Sequence, residues 1–317
     1  METSPQSGTQ SIVAVDRKSG EMGAAALSQS FSVGSRSIWS EPGVGIVVSQ
    51  GTVEPSYGPL GLMLMKAGKT PAQAVKSLLA TDPRPGMRQV MMIDSRGRTV
   101  AHTGQNCLPV AGHLAGRGFC VQANFVNAKR GWRSMAVAFR ATKGGLAERL
   151  VSSLEAGEQA ARGARRGGAS KSAAIIVVAT KQSVSPWEGR VVDLRVENGN
   201  APLKELRALL KVQEAHARTM GAQGLFSRGE FDRGEKEFSK AISLAPEDTE
   251  LRLWFALGLM NRGEKTRGEK MLRSAIGKGQ DWKAILRELV SRGIVDEGAK
   301  PAKGASERKN EAAKAPT

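Results

Sequence analysis

Hydrophobic and polar positions fall into short, punctuated runs through the front of the chain and into longer helical periods behind it. Ser11 to Val15 and Met22 to Ser28 are runs of apolar and small residues joined by Asp16-Arg17-Lys18-Ser19-Gly20, a loop of turn formers, so the pair predicts a β-hairpin. Val44 to Ser49 reads as a third strand. Pro59 to Lys66 and Pro71 to Ala80 read as helices with proline near their starts, the second halted by Thr81-Asp82-Pro83-Arg84-Pro85-Gly86. Gln89 to Ile93 and Thr99 to Thr103 flank Asp94-Ser95-Arg96-Gly97 as a second hairpin, and Phe119 to Gln122 is a further short strand. Arg133 to Ala141 and Leu146 to Ala156 carry apolar residues at helical spacing, and Ala173 to Val178 and Val191 to Val196 close the series as strands. Sheet segments outnumber crossover helices, which argues against a parallel βαβ repeat and for sheets packed together with helices outside.

From Leu203 onward the pattern is purely helical and repeats itself. Leu225-Phe-Ser-Arg-Gly-Glu-Phe-Asp-Arg-Gly-Glu-Lys-Glu-Phe-Ser-Lys-Ala-Ile242 recurs as Leu259-Met-Asn-Arg-Gly-Glu-Lys-Thr-Arg-Gly-Glu-Lys-Met-Leu-Arg-Ser-Ala-Ile276, an offset of 34 residues. That period, a glycine at the turn, an alanine at the packing position and Pro246 afterwards resemble a tetratricopeptide repeat, a unit that buries its faces by stacking. Flanking helices over Leu203 to Arg218 and Trp282 to Arg292 are then expected to cap the pair. Arg228, Arg233, Arg262 and Arg267 are expected to solvate one face rather than to build an acidic-peptide groove. Residues 296 to 317, rich in Ala, Lys, Glu and Pro, lack apolar periodicity and predict a disordered basic tail. The expected organisation is a leader over 1–8, a sheet-rich domain over 9–202, a helical domain over 203–295 and the tail.

Composition narrows the function classes. The 317 residues leave room for about two domains of ~100 to 200 residues each. No apolar run approaches the roughly 18 to 20 residues that span a bilayer, and Met1 to Gln10 is polar, so the reading is a soluble, non-exported, cytoplasmic protein without a membrane contact. The net charge of +17 raises nucleic acid as a partner. Its distribution lowers it again, with ten basic and seven acidic side chains in 1–100, fourteen and six in 101–202, and twenty-three and seventeen in 203–317. The excess is spread, and at 4% aromatic residues there is little to stack on bases.

Cys107 and Cys120 form no CxxC and support neither a zinc module nor a disulfide framework. His102, His113 and His216 are the only histidines, with no HExxH pattern, so no metal or other cofactor is expected. There is no P-loop and no serine elbow, and Gly43-Val-Gly45 lacks the rest of a dinucleotide site.

A hydroxyl nucleophile at the head of the first strand remains. Threonine attacks poorly unless a base takes its proton, and a threonine that is itself the chain terminus can use its own α-amine. That amine has an ordinary pKa of about 7.7 to 8.0, so much of it is free base near neutral pH. The arrangement requires cutting after Gly8, a residue that admits a strained turn in which the Thr9 hydroxyl attacks the preceding carbonyl. The plainer reading is a frayed leader and a β-branched residue opening a strand.

Thr9-Gln-Ser-Ile-Val-Ala-Val-Asp16 followed by Ser19-Gly-Glu-Met-Gly-Ala-Ala-Ala-Leu-Ser28 resembles the opening of the domain of unknown function 1028 family, which belongs to the N-terminal nucleophile hydrolase superfamily. The likeness continues through Ser56-Tyr-Gly58, Arg88-Gln-Val90, Ala101-His-Thr-Gly104, Gln122 to Asn124, Leu146-Ala-Glu-Arg-Leu150 and Val192-Asp-Leu-Arg-Val196, and covers roughly residues 9 to 210. The resemblance implies an α+β protein, a four-layer αββα sandwich followed by the all-α helical region, and puts the nucleophile on Thr9, with Ser11 as second choice on the same strand face. Gln122 and Asn124 are expected at an oxyanion hole, and Ser28, His102 and Thr103 along the substrate cleft.

Three departures from the family pattern stand out. Gln29 replaces a common basic residue, the loop Ala160 to Ser172 lacks the usual acid, and Ala123 replaces a glycine so that its methyl narrows backbone access. The expected function is hydrolysis of a non-peptide or small amide C–N bond by the Thr9 nucleophile. The alternative is a catalytically degenerate ligand-binding or scaffolding protein that meets a protein partner through its helical repeats. Hydrolases of this superfamily often assemble, which makes a homo-oligomer a further expectation.

Overall fold

The computed structural model describes residues 8–108, 110–124, 130–161, 169–182, 189–276 and 281–296. The expected tail beyond Asp296, residues 1–7 of the leader and the stretch 162–168 of the departing loop lie outside the described residues. The chain divides into two units, Met1–Leu210 and Lys211–Thr317, with the division falling inside one long helix.

The first unit opens with a hairpin of β1 (Thr9–Asp16) and β2 (Glu21–Ser28), in register from Thr9 opposite Ser28 to Asp16 opposite Glu21. Asp16 makes the turn: its side chain accepts from the Lys18 N–H at 2.9 Å and its carbonyl from the Gly20 N–H at 3.0 Å, with Gly20 at φ 73° where a side chain would strain. A six-stranded antiparallel sheet runs β10 (Arg190–Val196), β9 (Ser172–Ala179), β2, β1, β8 (Phe119–Ala123), β7 (Gly112–Gly116). A four-stranded antiparallel sheet runs β3 (Ile38–Glu41), β4 (Gly45–Gly51), β5 (Arg88–Asp94), β6 (Thr99–Thr103).

Strand alternation gives each sheet two apolar faces. Val13, Met22, Cys120, Ile176 and Val178 of the larger sheet pack on Ile46, Val48, Met91 and Ile93 of the smaller one, so the two sheets meet face to face. The other face of the larger sheet, with Ile12, Leu27, Val121 and Ile175, is covered by Met135 and Phe139 of α4 (Arg130–Ala141) and by Leu146, Leu150 and Leu154 of α5 (Leu146–Ala160). The other face of the smaller sheet, with Val47, Val90 and Met92, is covered by Tyr57, Leu62 and Met65 of α2 (Tyr57–Lys66) and by Ala74, Val75 and Leu78 of α3 (Pro71–Thr81). The latter starts on a capping box between Thr70 and Gln73 with Pro71 just inside.

The predicted strands and helices of this unit all form, most of them a residue or two longer than the pattern implies. Four short elements were not foreseen: α1 (Val33–Ser37), a 3-10 turn over Pro85–Met87, β3 and β7. They are three to five residues long, too short to show a helical period or a convincing alternation.

The second unit is helical. The helix expected to end at Arg218 runs on as α6 (Pro202–Ser227), through Gly221 and Gly224, because Ala215, Ala222 and Leu225 continue a buried stripe that outweighs the weak helix preference of glycine. It is followed by α7 (Phe231–Leu244), α8 (Thr249–Asn261), α9 (Lys265–Ala275) and α10 (Trp282–Ser291). The 34-residue offset is visible atom by atom. Gly229 at φ 75° and Gly263 at φ 89° make equivalent turns, the Glu230 and Glu264 N–H groups bond Leu225 and Leu259 carbonyls at 2.9 Å, and Gly234 and Gly268 let Phe226 and Met260 approach where a Cβ would sit 2.3 and 2.5 Å away. Phe238 and Phe255 stack at 4.8 Å in the core.

Candidate functional site

Toward the N-terminal end of β1 the interface between the sheets changes from apolar to polar. Thr9 and Ser11 of β1, Gln122 of β8 with Asn124 just beyond it, Gln50 of β4, Gln89 of β5 and Ser28 closing β2 all have at most 1% of their surface exposed. Buried polar groups cost several kcal/mol unless they find partners, so they organise as a network.

Gln50 and Gln89 form its hub. Gln50 Nε2 donates to the Thr9 carbonyl at 3.2 Å and to Gln89 Oε1 at 2.8 Å, while Gln50 Oε1 accepts from Ser11 Oγ at 2.6 Å. Gln89 Oε1 also accepts from Asn124 Nδ2 at 3.0 Å, and Gln89 Nε2 reaches Thr103 Oγ1 at 3.1 Å and the carbonyls of Gly112 and Ala123 at 3.2 and 3.1 Å. Thr103 Oγ1 in turn lies 2.8 Å from His113 Nδ1. Partial desolvation, followed by the neighbouring His102, pushes the His113 imidazole below its ordinary pKa and favours its neutral form.

Thr9 sits at the edge of this network with both of its polar ends held. Its hydroxyl lies 2.9 Å from Ser28 Oγ, its N–H donates to Asn124 Oδ1 at 3.2 Å, and its carbonyl accepts from the Asn124 N–H at 2.9 Å. The preceding carbonyl, that of Gly8, accepts from the Gln29 N–H at 3.2 Å, and Gly8 lies in the left-handed region at φ 59°. Ser28 Oγ also accepts from the Ser30 N–H at 3.1 Å, which fixes the turn after β2.

The predicted site residues therefore separate. Thr9, Ser11, Ser28, Thr103, Gln122 and Asn124 come together; Gln122 donates to Ser11 Oγ at 3.3 Å, and among the described residues its Oε1 has no hydrogen-bond partner. His102 does not join them. One residue from Thr103 on a strand, it shares the parity of Val100, whose side chain packs toward α2 and α3. Asn124 turns its acceptor oxygen, not its amide protons, toward Thr9. The Ala123 methyl packs with Ala161 and Trp132 on the helical side of the sheet, so it does not narrow the site. Gln50 and Gln89 were missed as site residues; a glutamine at the end of an otherwise apolar strand, in phase with the inward residues, was the available signal.

On the opposite face of β5 from Gln89 lies a second buried cluster. Arg88, 2% exposed, bonds Asp82 through Nε at 2.6 Å and a terminal nitrogen at 3.0 Å, and Tyr57 donates to the same carboxylate at 2.8 Å. Burial works to raise the Asp82 pKa, but the bonds from Arg88, the Arg84 N–H and Tyr57 outweigh it and hold the group at about 2. Burial, then the bond to Asp82, pushes the Tyr57 hydroxyl well above its usual range.

In the helical unit a cavity of about 400 Å³ is lined by Phe226, Phe231, Phe238, Trp254, Leu257 and Arg262 among others. The repeat arginines are engaged nearby: Arg262 pairs with Glu235 and Glu264 at 2.8 and 2.9 Å, Arg267 with Glu235 at 2.8 Å, and Arg228 and Arg233 with Glu230. Among the described residues no helix is long and apolar enough to cross a membrane.

Two antiparallel sheets joined through a buried polar network, followed by a helical region, define a mixed α+β protein. Residues 9–206 match the family of unknown function DUF1028, and the chain belongs to that family. It is also similar to a crystal structure of a protein from Silicibacter pomeroyi with the same family designation, at 27% identity and a TM-score of 0.57, over 64% of this chain and 85% of that one. No curated protein matches the sequence.

Proposed function

We propose that this protein is an amide hydrolase of the N-terminal nucleophile class, in which Thr9 attacks after removal of residues 1–8. On this reading the two packed sheets and their outer helices are the αββα sandwich of that superfamily. The observation that carries it is the convergence on the Gly8–Thr9 peptide bond of a hydroxyl paired with Ser28, an N–H held by Asn124, and a scissile carbonyl that already receives the Gln29 N–H.

Processing follows from those contacts. Thr9 Oγ1 bonds to the Gly8 carbonyl carbon as its proton passes to Ser28 Oγ, which gives up its own proton toward the Thr9 nitrogen, and the oxyanion gathers charge against the Gln29 N–H. The Gly8–Thr9 C–N bond then breaks, the nitrogen takes up a proton, and the acyl group rests on Thr9 as an ester. Water hydrolyses that ester, releasing residues 1–8 as a carboxylic acid and restoring the hydroxyl. The freed α-amine, still facing Asn124 Oδ1, is then the base for attack on an external amide by the same sequence of bonds. Intact-mass measurement and N-terminal sequencing of the purified chain test this directly: a mature terminus at Thr9 is expected, and a chain that keeps Met1 or Glu2 after prolonged incubation contradicts it.

The rival reading, a ligand-binding or scaffolding protein acting through tetratricopeptide-like hairpins, has the aromatic cavity of the helical unit in its favour. The pairing of all four repeat arginines with neighbouring glutamates speaks against an acidic peptide there. A chain truncated after Leu210 that retains every captured partner of the full chain removes that reading.

A further inference from the structure

We infer that Gly8 occupies the acyl subsite of the finished enzyme, and that Gln29 restricts that subsite to acyl groups with an unsubstituted α-carbon, a glycyl amide being the type. The inference rests on the proposed hydrolase reading and adds a substrate class to it. In a site that cleaves its own leader, the leader's last residue stands where the acyl half of a later substrate must stand, because both present their carbonyl to the same nucleophile and the same donor.

That donor is the Gln29 N–H, 3.2 Å from the Gly8 carbonyl oxygen. Its position is fixed from three sides: the Ser28 carbonyl accepts from the Lys171 N–H at 2.8 Å, the Ser30 N–H donates to Ser28 Oγ at 3.1 Å, and the Ser30 carbonyl accepts from Ser172 Oγ at 2.6 Å. A turn pinned this way presents its N–H without reorganising when charge develops.

The side chain of the same residue closes the subsite. A Cβ placed on Gly8 in the L configuration would lie 2.3 Å from Gln29 Cδ, 2.4 Å from Oε1 and 2.7 Å from Nε2, all closer than atoms pack. Those atoms end a flexible chain, but Gln29 is only 5% exposed and has little room to swing aside. Position 8 also lies at φ 59°, which adds a backbone penalty for any L residue. One residue thus supplies the donor that polarises the carbonyl and the wall that reads the carbon beside it.

The test follows release of residues 1–8 by intact mass in the full chain. Gly8→Ala should slow release by about tenfold or more, and Gln29→Ala added to it should recover most of the loss while leaving a residue from the backbone strain. Equal rates for the wild type and Gly8→Ala, or no recovery in the double variant, overturn the inference while leaving the hydrolase reading intact. Processed wild-type protein is then offered glycyl and L-alanyl activated esters, and acylation is read by mass on the Thr9 peptide. Preferential glycyl labelling supports the inference; equal labelling, or none from either ester, overturns it. A wild-type chain that never releases its leader removes the hydrolase reading, and this inference with it.

Discussion

The interface between the two sheets has two ends built on the same strands and differing in one respect. Along β1 the inward positions run Thr9, Ser11, then Val13; along β4 they run Ile46, Val48, then Gln50; along β5, Gln89, then Met91 and Ile93; along β8, Cys120, then Gln122. At one end hydrocarbon packs against hydrocarbon, a contact that tolerates small shifts. At the other end each amide and hydroxyl must meet a partner at hydrogen-bond distance, so the spacing between sheets is specified to a few tenths of an ångström. The apolar end supplies affinity between the sheets, and the polar end supplies their alignment.

Breaking the polar end at the proposed nucleophile should give the largest effect. Thr9→Val, which keeps the shape and removes the hydroxyl, is expected to suppress leader release by about a thousandfold or more in an intact-mass time course. Release of residues 1–8 at an ordinary rate from that variant would remove Thr9 from the reaction, and release of residues 1–10 instead would transfer the nucleophile to Ser11. Breaking the apolar end instead, with Ile93→Ala, should lower unfolding stability by about 2 to 5 kcal/mol in urea while molecules that remain folded release the leader normally.

Gln89→Leu probes the hub. It leaves Asn124 Nδ2, Gln50 Nε2 and Thr103 Oγ1 short of a partner, and should cost about 1 to 3 kcal/mol of stability while also slowing release, because Asn124 loses the bond that aims it at Thr9. A loss of stability with no change in release would separate the hub from the chemistry.

The far face of β5 gives a pH test. Asp82 is held at about 2, below its unfolded value near 3.8, so its contribution is present above that unfolded value and is lost as pH falls from there through the folded value. Urea midpoints should hold level from neutral pH down to about 5 and then fall as pH approaches 2, with Asp82→Asn removing that part of the decline. The smallest effect is expected from Ala123→Gly: about 0.5 to 1 kcal/mol less stable, with release unchanged, because the methyl lies on the helical side of the sheet. Faster release from it would place that methyl in the site after all.

Much of the first unit is legible in the sequence because its strands alternate cleanly and its turns carry their own chemistry, as Asp16 and Gly20 do. Thr9, Ser11, Ser28, Gln122 and Asn124, which the structure brings together, are the residues that the head of β1 and the segments resembling the family singled out. The hub glutamines escaped because, although each stands in phase with the inward apolar residues of its strand, Gln50 and Gln89 are distant in sequence and the local pattern does not say which groups the facing sheet brings to them. His102 was grouped with Thr103 although adjacent residues on a strand point to opposite faces, which the alternation already implied. In the helical unit the repeat was plain, but the end of α6 was not: the helix was expected to end at Arg218, and the buried stripe of Ala215, Ala222 and Leu225 carries it on through Gly221 and Gly224.

The equivalence of the turns at Gly229 and Gly263 bears on how the rear of the chain can change length. Each turn is followed, five positions on, by a glycine that admits the bulky side chain of the helix before it, so the junction is written entirely within one thirty-four-residue period. A copy spliced in frame would find at both of its edges the surfaces it evolved to meet, and insertion or excision by whole periods leaves every seam intact where a partial one would leave a seam open.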